Sequence, residues 1–117
     1  MIRDREEVQE YSEIGLFNAV GLMARDLGYE VVYFKSLTPS FLGFGEDLEI
    51  DYKYIHFIHL YKDEELKISI YYDKYNLAPM FPEQPYFELY DRLDTERFLD
   101  TEEDRNNLVN RLSELLK

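Results

Sequence analysis

The chain has 117 residues, with 25 acidic side chains against 13 lysines and arginines and a formal charge of −12. This length predicts a single domain spanning residues 1–117, and the hydrophobic fraction of 45% is enough for a core without disulfides or metals. The negative charge argues against direct binding of nucleic acid, because phosphate contacts need a basic surface. The absence of cysteine excludes disulfides, thiolate metal sites and cysteine nucleophiles.

The apolar stretches of the sequence are short. No apolar run of the kind found in secretory signals follows the first residues, and the longest apolar stretches, 31–34 and 55–61, are interrupted. A membrane span needs about 20 apolar residues. We therefore expect a cytoplasmic protein that does not associate with membranes.

Residues 4–27 have the apolar spacing of a helix. The stripe consists of Leu16, Val20, Met23 and Leu27. Asp4 is a suitable N-cap, and Gly28 is a suitable residue just beyond the C-terminus. Gly15 and Gly21 lie inside the stripe, at a cost of about 1 kcal/mol each relative to alanine. Either the helix breaks close to Gly15, or the glycines let another segment approach closely.

The middle of the chain is rich in β-branched and aromatic residues. This composition predicts strands at 29–37, 49–61, 66–72 and 86–90, and loops at 38–47 and 73–85 where proline and glycine accumulate. The connections are too short or too rich in proline for crossover helices, so the sheet should be mainly antiparallel.

The register of the central hairpin follows from its apolar pattern. Pairing Tyr61 with Leu66 sets a continuous apolar face, which consists of Ile55, Phe57, His59 and Tyr61 opposite Tyr72, Ile70, Ile68 and Leu66. Ile50 and Tyr52 have the opposite parity. Either a bulge near Tyr54 or burial of both faces reconciles the two halves of the strand.

The C-terminal segment ends in a second helix. The polar stretch 91–100 predicts at most a helical turn at 95–99, and Thr101 begins a sequence that resembles a capping box with Asp104 at its third helical position. The stripe of this helix consists of Leu108, Val109, Leu112, Leu115 and Leu116, and Leu112 should face the sheet. The predicted fold is therefore a two-layer α+β domain, with a mainly antiparallel sheet of about four strands and the N- and C-terminal helices packed on one face.

Catalytic and metal-binding motifs are absent from the sequence. No serine lies in a nucleophile elbow, and the glycines around Phe44 lack the spacing of a phosphate-binding loop. His56 and His59 are three residues apart on a predicted strand, which places them on opposite faces and argues against a shared metal. The acids near Asp51 do not match a calcium-binding loop. We expect neither a cofactor nor a metal, and a protein that is not an enzyme.

Acidic side chains and tyrosines accumulate together near the C-terminus. Residues 83–104 contain nine acids against Arg92 and Arg97. Tyr86, Glu88 and Tyr90 share a strand face that we expect to be exposed, opposite the inward-facing Phe87 and Leu89. The candidate partner-binding residues are Tyr86, Glu88, Tyr90, Asp91, Asp94 and Glu96.

An acidic surface that carries tyrosines complements a basic protein partner. The predicted function is therefore binding and neutralising such a partner, for example a nuclease toxin or a nucleic-acid-binding enzyme. Immunity proteins, antitoxins, inhibitors and nucleic-acid mimics act in this way. The simpler alternative is that the acids provide solubility and the aromatic residues form the core.

Two other classes of function remain open at this stage. A secretion-type chaperone would bind an unfolded effector segment through apolar loops, whose candidate residues are Phe41, Leu42, Phe44, Leu77, Met80 and Phe81. The same residues are equally suited to cover the core. A small-molecule-binding domain would use tyrosine hydroxyls and His59 to line a pocket.

Overall fold

A computed structural model describes residues 4–5, 10–42, 45–74, 85–92 and 94–117. The elements are β1 (Asp4–Arg5), α1 (Gly15–Asp26), β2 (Glu30–Leu42), β3 (Glu49–Lys62), β4 (Glu65–Asp73), β5 (Tyr86–Asp91), β6 (Asp94–Leu99) and α2 (Glu102–Leu115). The strands form one antiparallel sheet in chain order. This confirms the predicted α+β fold, with five strands of six residues or more and the two-residue β1 instead of four strands. Within the described ranges, no helix has the length and apolar content needed to cross a membrane.

Both helices pack on the same face of the sheet. α1 contributes Phe17 and Val20 to the main core, and α2 contributes Leu108 and Leu112, all of them fully buried. The strand residues that meet them lie in one row across the register, which runs Tyr33, Ile58, Ile70 and Leu89. The expected inward orientation of Leu112 is confirmed.

The first helix is shorter than predicted. Asp4 pairs with Leu37 at the sheet edge, so it is not an N-cap, and the helix begins only at Gly15. The backbone of Ser12 and the side-chain amide of Asn18 exchange two hydrogen bonds of 2.8 Å, which close a turn just before the helix. Gly28 has φ +90° directly after the helix, as expected of a terminating glycine.

Two segments predicted as irregular or helical are strands. β2 continues through Pro39 to Leu42, where β3 is its partner within the described residues, and an edge position of this kind tolerates proline. Residues 95–99 belong to β6, not to a helical turn, because Phe98 reaches the main core only when β6 pairs with β5. Residues 43–44 of the first predicted loop and 75–84 of the second lie outside the described residues.

The central hairpin keeps the predicted pairing only at its turn. Tyr61 pairs with Leu66, but a bulge at Lys67 shifts the register so that Leu60 pairs with Ile68. One extra residue reverses which face every later side chain occupies. Ile58 and Leu60, not Phe57 and His59, therefore meet the isoleucines of β4. The register between β2 and β3 has no shift near Tyr54, so a bulge does not reconcile the two halves of β3. Burial of both faces holds only in the second half, because Ile50, Tyr52 and Tyr54 are exposed.

Candidate functional site

A band of aromatic rings crosses the sheet face that points away from the helices. Its members, called the aromatic band below, are Phe34, Phe57, His59, Tyr61, Tyr71, Tyr86 and Tyr90. Phe34 stacks on Phe57 with ring centroids 4.8 Å apart, and Tyr71 lies 5.9 Å from Phe57 and 5.8 Å from Tyr90. The band is buried at Phe34, Phe57 and Tyr86 and becomes exposed at Tyr90.

Glu88 is the polar centre of this band. Its carboxylate accepts hydrogen bonds from the hydroxyls of Tyr71 and Tyr90, the latter at 3.1 Å, and from the Arg97 guanidinium at 3.1 Å. The same guanidinium lies 4.0 Å from the ring centroid of Tyr86. The side chain of Glu88 is only 12% exposed. Its charge is thus compensated inside the protein and contributes little to an outer surface.

The tyrosines around Glu88 remain protonated at neutral pH. Burial is the main cause that raises the pKa of Tyr71, and its hydrogen bond to Glu88 raises it further. Burial also raises the pKa of Tyr86 and of Tyr90. The hydroxyls of Tyr71 and Tyr90 donate to the Glu88 carboxylate, and the Tyr86 hydroxyl lies 3.3 Å from that of Tyr71. The cluster therefore has the chemistry of a structural network and not that of a general base.

The expectation that Tyr86 is an exposed anchor is wrong. Tyr86 is 2% exposed, whereas Tyr90 is 39% exposed. β5 lies between β4 and β6, so its outer-face residues are flanked by Tyr71 on one side and Arg97 on the other. The inward orientation of Phe87 and of Leu89 is confirmed.

The other three predicted residues lie on the opposite side of the sheet. Asp91 pairs with Asp94 across the β5–β6 turn, and Glu96 pairs with Leu89, whose side chain is in the main core. The carboxylate of Glu96 accepts a 2.8 Å hydrogen bond from Arg111 of α2. The six candidates therefore do not form one surface, and their role in partner binding stays a prediction.

Two acidic turns meet at one end of the sheet. The β3–β4 turn consists of Asp63 and Glu64, and a 3.1 Å ion pair between Arg92 and Glu65 connects it to the β5–β6 turn. The end of the molecule formed by Asp63, Glu64, Glu65, Asp91 and Asp94 is called the acidic end below. The predicted pairing of Tyr61 with Leu66 implies a turn at 62–65, but the sequence does not associate this turn with the C-terminal acids, because that association depends on the strand order.

The two histidines lie on opposite faces, as their spacing predicts. His59 belongs to the aromatic band, and His56 faces the helix side. Within the described part of the chain, no group of three or more histidine or acidic side chains is arranged to hold a metal ion.

A cleft of about 430 Å³ opens beside the start of α1. It is called the lysine cleft below and is lined by Glu13, Ile14, Lys35, Tyr52, Lys53, Tyr54, His56 and Lys74. These residues come from four separate segments, so no local sequence motif predicts the cleft. The alternation of Tyr52, Tyr54 and His56 along one strand face is the only signal present in the sequence.

Comparison with known proteins returned no similarity. No family model, no curated protein and no solved structure matches the chain.

Proposed function

We propose that this protein binds a basic protein partner at the acidic end and thereby neutralises it. The observation that carries the proposal is that four of the five acids at this end have no ion-pair partner among the described residues, whereas Glu65 is paired with Lys67 and Arg92. Among the ion pairs between described residues, none involves Asp63, Glu64, Asp91 or Asp94. By contrast, the carboxylates of Glu88 and Glu96 are paired with arginines and are not part of the proposed surface.

The backbone of the turns supports the same assignment. Asp63 has φ 56° and Glu64 has φ 64°, a two-residue turn for which Asn-Gly is the favoured sequence. Arg92 in the neighbouring turn also has a positive φ of 55°. A glutamate in the left-handed region costs about 1 kcal/mol relative to glycine. Glu64 thus carries a stability cost at this position, which a binding role for its charge would explain.

Tyr90 supplies the contact area that a charged turn lacks. It is exposed, it directly precedes Asp91 in the chain, and it is held by stacking on Tyr71 and by its hydrogen bond to Glu88. A tyrosine already fixed in one orientation loses little side-chain entropy on binding. It therefore suits the role of an anchor on the outer face of the sheet at the border of the acidic end, while the acids of the turns guide the partner's approach.

The test is affinity capture with the full chain, followed by association and dissociation kinetics against the captured protein. We expect a basic partner whose association slows as the ionic strength rises towards physiological values, where the screening length is about 8 Å. The double variant Asp91→Asn/Asp94→Asn should slow association. Tyr90→Ala should accelerate dissociation, with a loss of about 2 kcal/mol in binding.

A matched control separates the acidic end from net charge. The double variant Glu10→Gln/Glu49→Gln also removes two exposed acids, so both variants carry a formal charge of −10 where the chain has −12. The control should leave the association rate unchanged within a factor of about two. An acidic partner, or equal slowing by both double variants, would contradict the proposal.

A second candidate function rests on a different part of the sheet. β2 and β3 extend past the end of β4, and within the described residues no strand pairs with the outer edge of Glu49 to Ile55. Ile50, Tyr52 and Tyr54 are exposed along this extension. An unpaired edge of this kind can accept an extended segment as an added strand, which is how a chaperone would hold an unfolded effector. A chaperone function predicts that Ile50→Lys abolishes capture, while Asp91→Asn/Asp94→Asn has no effect.

A further inference from the structure

Most of α1 carries no charge, although charged residues make up 32% of the chain. The stretch 15–24 contains no lysine, arginine, aspartate or glutamate. Packing in the core explains this only for the side of the helix that faces the sheet, where Phe17, Val20 and Ala24 are buried. A helix at the surface of a globular protein normally carries charged and polar residues on its outer side. The core therefore does not account for the missing charges on the outer side of α1.

The outer side of α1 is apolar and accessible. Gly15, Ala19 and Leu22 follow one another at spacings of four and three residues, which places them on one side of the helix, and all three are exposed. Leu22 is 63% exposed. Met23, the next residue, is half-buried and packs against the main core. The apolar surface thus continues from the core to a leucine in contact with water.

α2 extends this uncharged surface. The Ser113 hydroxyl donates to the sulfur of Met23 at 3.5 Å, so the two helices are neighbours. Asn106 and Asn110 lie on the same side of α2 as Ser113, seven and three residues before it, and both are exposed. Residues 106–110 contain no charge. The surface defined by these residues is called the uncharged helix face below and consists of Ala19, Leu22, Met23, Asn106, Asn110 and Ser113.

We infer that the uncharged helix face is the contact surface of a symmetric dimer of this chain. Charge distinguishes a second copy from other partners. A basic protein gains no electrostatic attraction from a surface without acids. Two copies of a chain with a formal charge of −12 repel each other, and they repel least where neither carries a charge. In a two-fold dimer both copies use the same surface, so the uncharged face of one meets the uncharged face of the other.

The shape of the face suits pairing with itself. Leu22 lies one turn from Ala19 and two turns from Gly15, where an added Cβ would meet no heavy atom within 4 Å. When two α1 helices cross antiparallel about an axis near Ala19, Leu22 of each copy meets the start of α1 in the other. A large side chain and the open space beside small residues are complementary, and two-fold symmetry forms this contact twice. Asn106 and Asn110 then provide a polar rim.

The size of the face limits the strength of the dimer. α1 has 12 residues and α2 has 14, which correspond to lengths of about 18 and 21 Å. Two neighbouring helices of these lengths present on the order of 400 Å² of outer surface per copy, roughly half of what each partner contributes to a standard interface. We therefore expect a reversible dimer with a dissociation constant in the micromolar range.

The dimer does not depend on the proposed function. Tyr90 belongs to the aromatic band on the sheet face away from the helices, so dimerisation leaves it exposed. The two associations also respond to salt in opposite directions. The screening length falls from about 30 Å at about 0.01 M salt to about 3 Å at about 1 M, which weakens attraction to a basic partner but reduces repulsion between two acidic copies. Failure of either proposal is therefore distinguishable from failure of the other.

Sedimentation equilibrium of the full chain tests the dimer directly. We expect a monomer–dimer equilibrium between micromolar and millimolar concentration, with a dissociation constant that falls as salt is raised. In NMR spectra, the amide signals of Leu22 and Ser113 should move with protein concentration, while those of Glu88 and Tyr90 should not. A chain that remains monomeric at millimolar concentration in high salt, a dimer that weakens with salt, or concentration-dependent shifts confined to the aromatic band would each overturn the inference.

A matched pair of lysine variants locates the contact. Leu22→Lys and Leu66→Lys each replace an exposed leucine and change the formal charge from −12 to −11, so the net repulsion between copies falls equally in both. Leu22→Lys should nevertheless raise the dissociation constant at least about tenfold, because it places an unpaired ammonium group in the contact. Leu66 pairs with Tyr61 of the aromatic band, on the other sheet face, and its variant should dimerise as the unaltered chain does.

Ala19→Lys repeats the test at a second exposed position and retains Leu22. It should also raise the dissociation constant at least about tenfold. The midpoint of urea denaturation shows which variants are folded, and if Leu22→Lys is not, Ala19→Lys decides. Unchanged dimerisation of the folded helix variants, or equal weakening by Leu66→Lys, would overturn the inference.

Discussion

Gly21 in the middle of α1 is the position where helix propensity and tertiary packing make opposite predictions. A methyl group added at Gly21 would lie 1.8 Å from the Tyr33 hydroxyl oxygen, 2.9 Å from the ring carbon Cζ and 3.3 Å from Val31 Cγ1. Tyr33 is 2% exposed and belongs to the main core, so its ring has no free space into which to move. The glycine is therefore required by the approach of β2 to the helix.

The expected magnitude is the difference between two opposing effects. Alanine is favoured over glycine in a helix by about 1 kcal/mol. Overpacking a core costs about 1–3 kcal/mol, and contacts as short as those at Gly21 belong at the upper end of that range. We expect Gly21→Ala to lower the free energy of unfolding by about 1–2 kcal/mol. The melting temperature should fall by roughly 4 °C for each kcal/mol.

Urea denaturation of four variants tests this reasoning. Gly15, at the start of the same helix, has no heavy atom within 4 Å of an added Cβ, so Gly15→Ala is the matched control and should not destabilise. Tyr33→Phe removes the closest atom, so the double variant Gly21→Ala/Tyr33→Phe should show a favourable coupling of about 1 kcal/mol. If Gly21→Ala stabilises the protein as much as Gly15→Ala does, the packing of Tyr33 against α1 is wrong.

Three further perturbations have expected outcomes. Leu112→Ala removes a fully buried side chain of α2 and should lower the free energy of unfolding by about 2–5 kcal/mol, and a loss below about 0.5 kcal/mol in urea denaturation would mean that the helix is not docked. Burial and hydrogen bonds to carboxylates raise the pKa of both Tyr71 and Tyr72 above the ordinary 10.0, so the folded state holds protons that the unfolded state releases. These two groups should therefore leave the free energy of unfolding unchanged below pH 10.0 and lower it above that pH by about 1.4 kcal/mol per pH unit for each tyrosine. Tyrosinate absorbance measured in the same titration would contradict this if all tyrosines ionise before the protein unfolds. Glu64→Gly should raise the free energy of unfolding by about 1 kcal/mol in the same denaturation assay, because glycine adopts a positive φ without strain. The same variant should weaken partner binding, and since it is more stable, the lost binding cannot result from unfolding. A destabilised variant would refute the left-handed turn.

The sequence by itself determined the features that depend on neighbours within one segment. The stripe of α2 and the hydrogen bond from the Asp104 amide to the Thr101 side chain follow from spacing of three and four residues along one helix. The position of Gly28 after α1 is equally local. The antiparallel pairing was also predictable, since the links between strands are too short or too rich in proline for a crossover helix.

Only the tertiary structure decided which strand faces are covered. A single extra residue at Lys67 moved Phe57 from the helix side to the aromatic band, and no local pattern indicates where such a bulge falls. Tyr86 has the parity expected of an exposed residue, yet Tyr71 and Arg97 from neighbouring strands enclose it. The acidic end and the lysine cleft both join residues that are distant in the chain. The alternation of residues along a strand predicts which side chains share a face of the sheet. What packs against that face depends on strand order and register, because these arise from contacts between segments far apart in sequence.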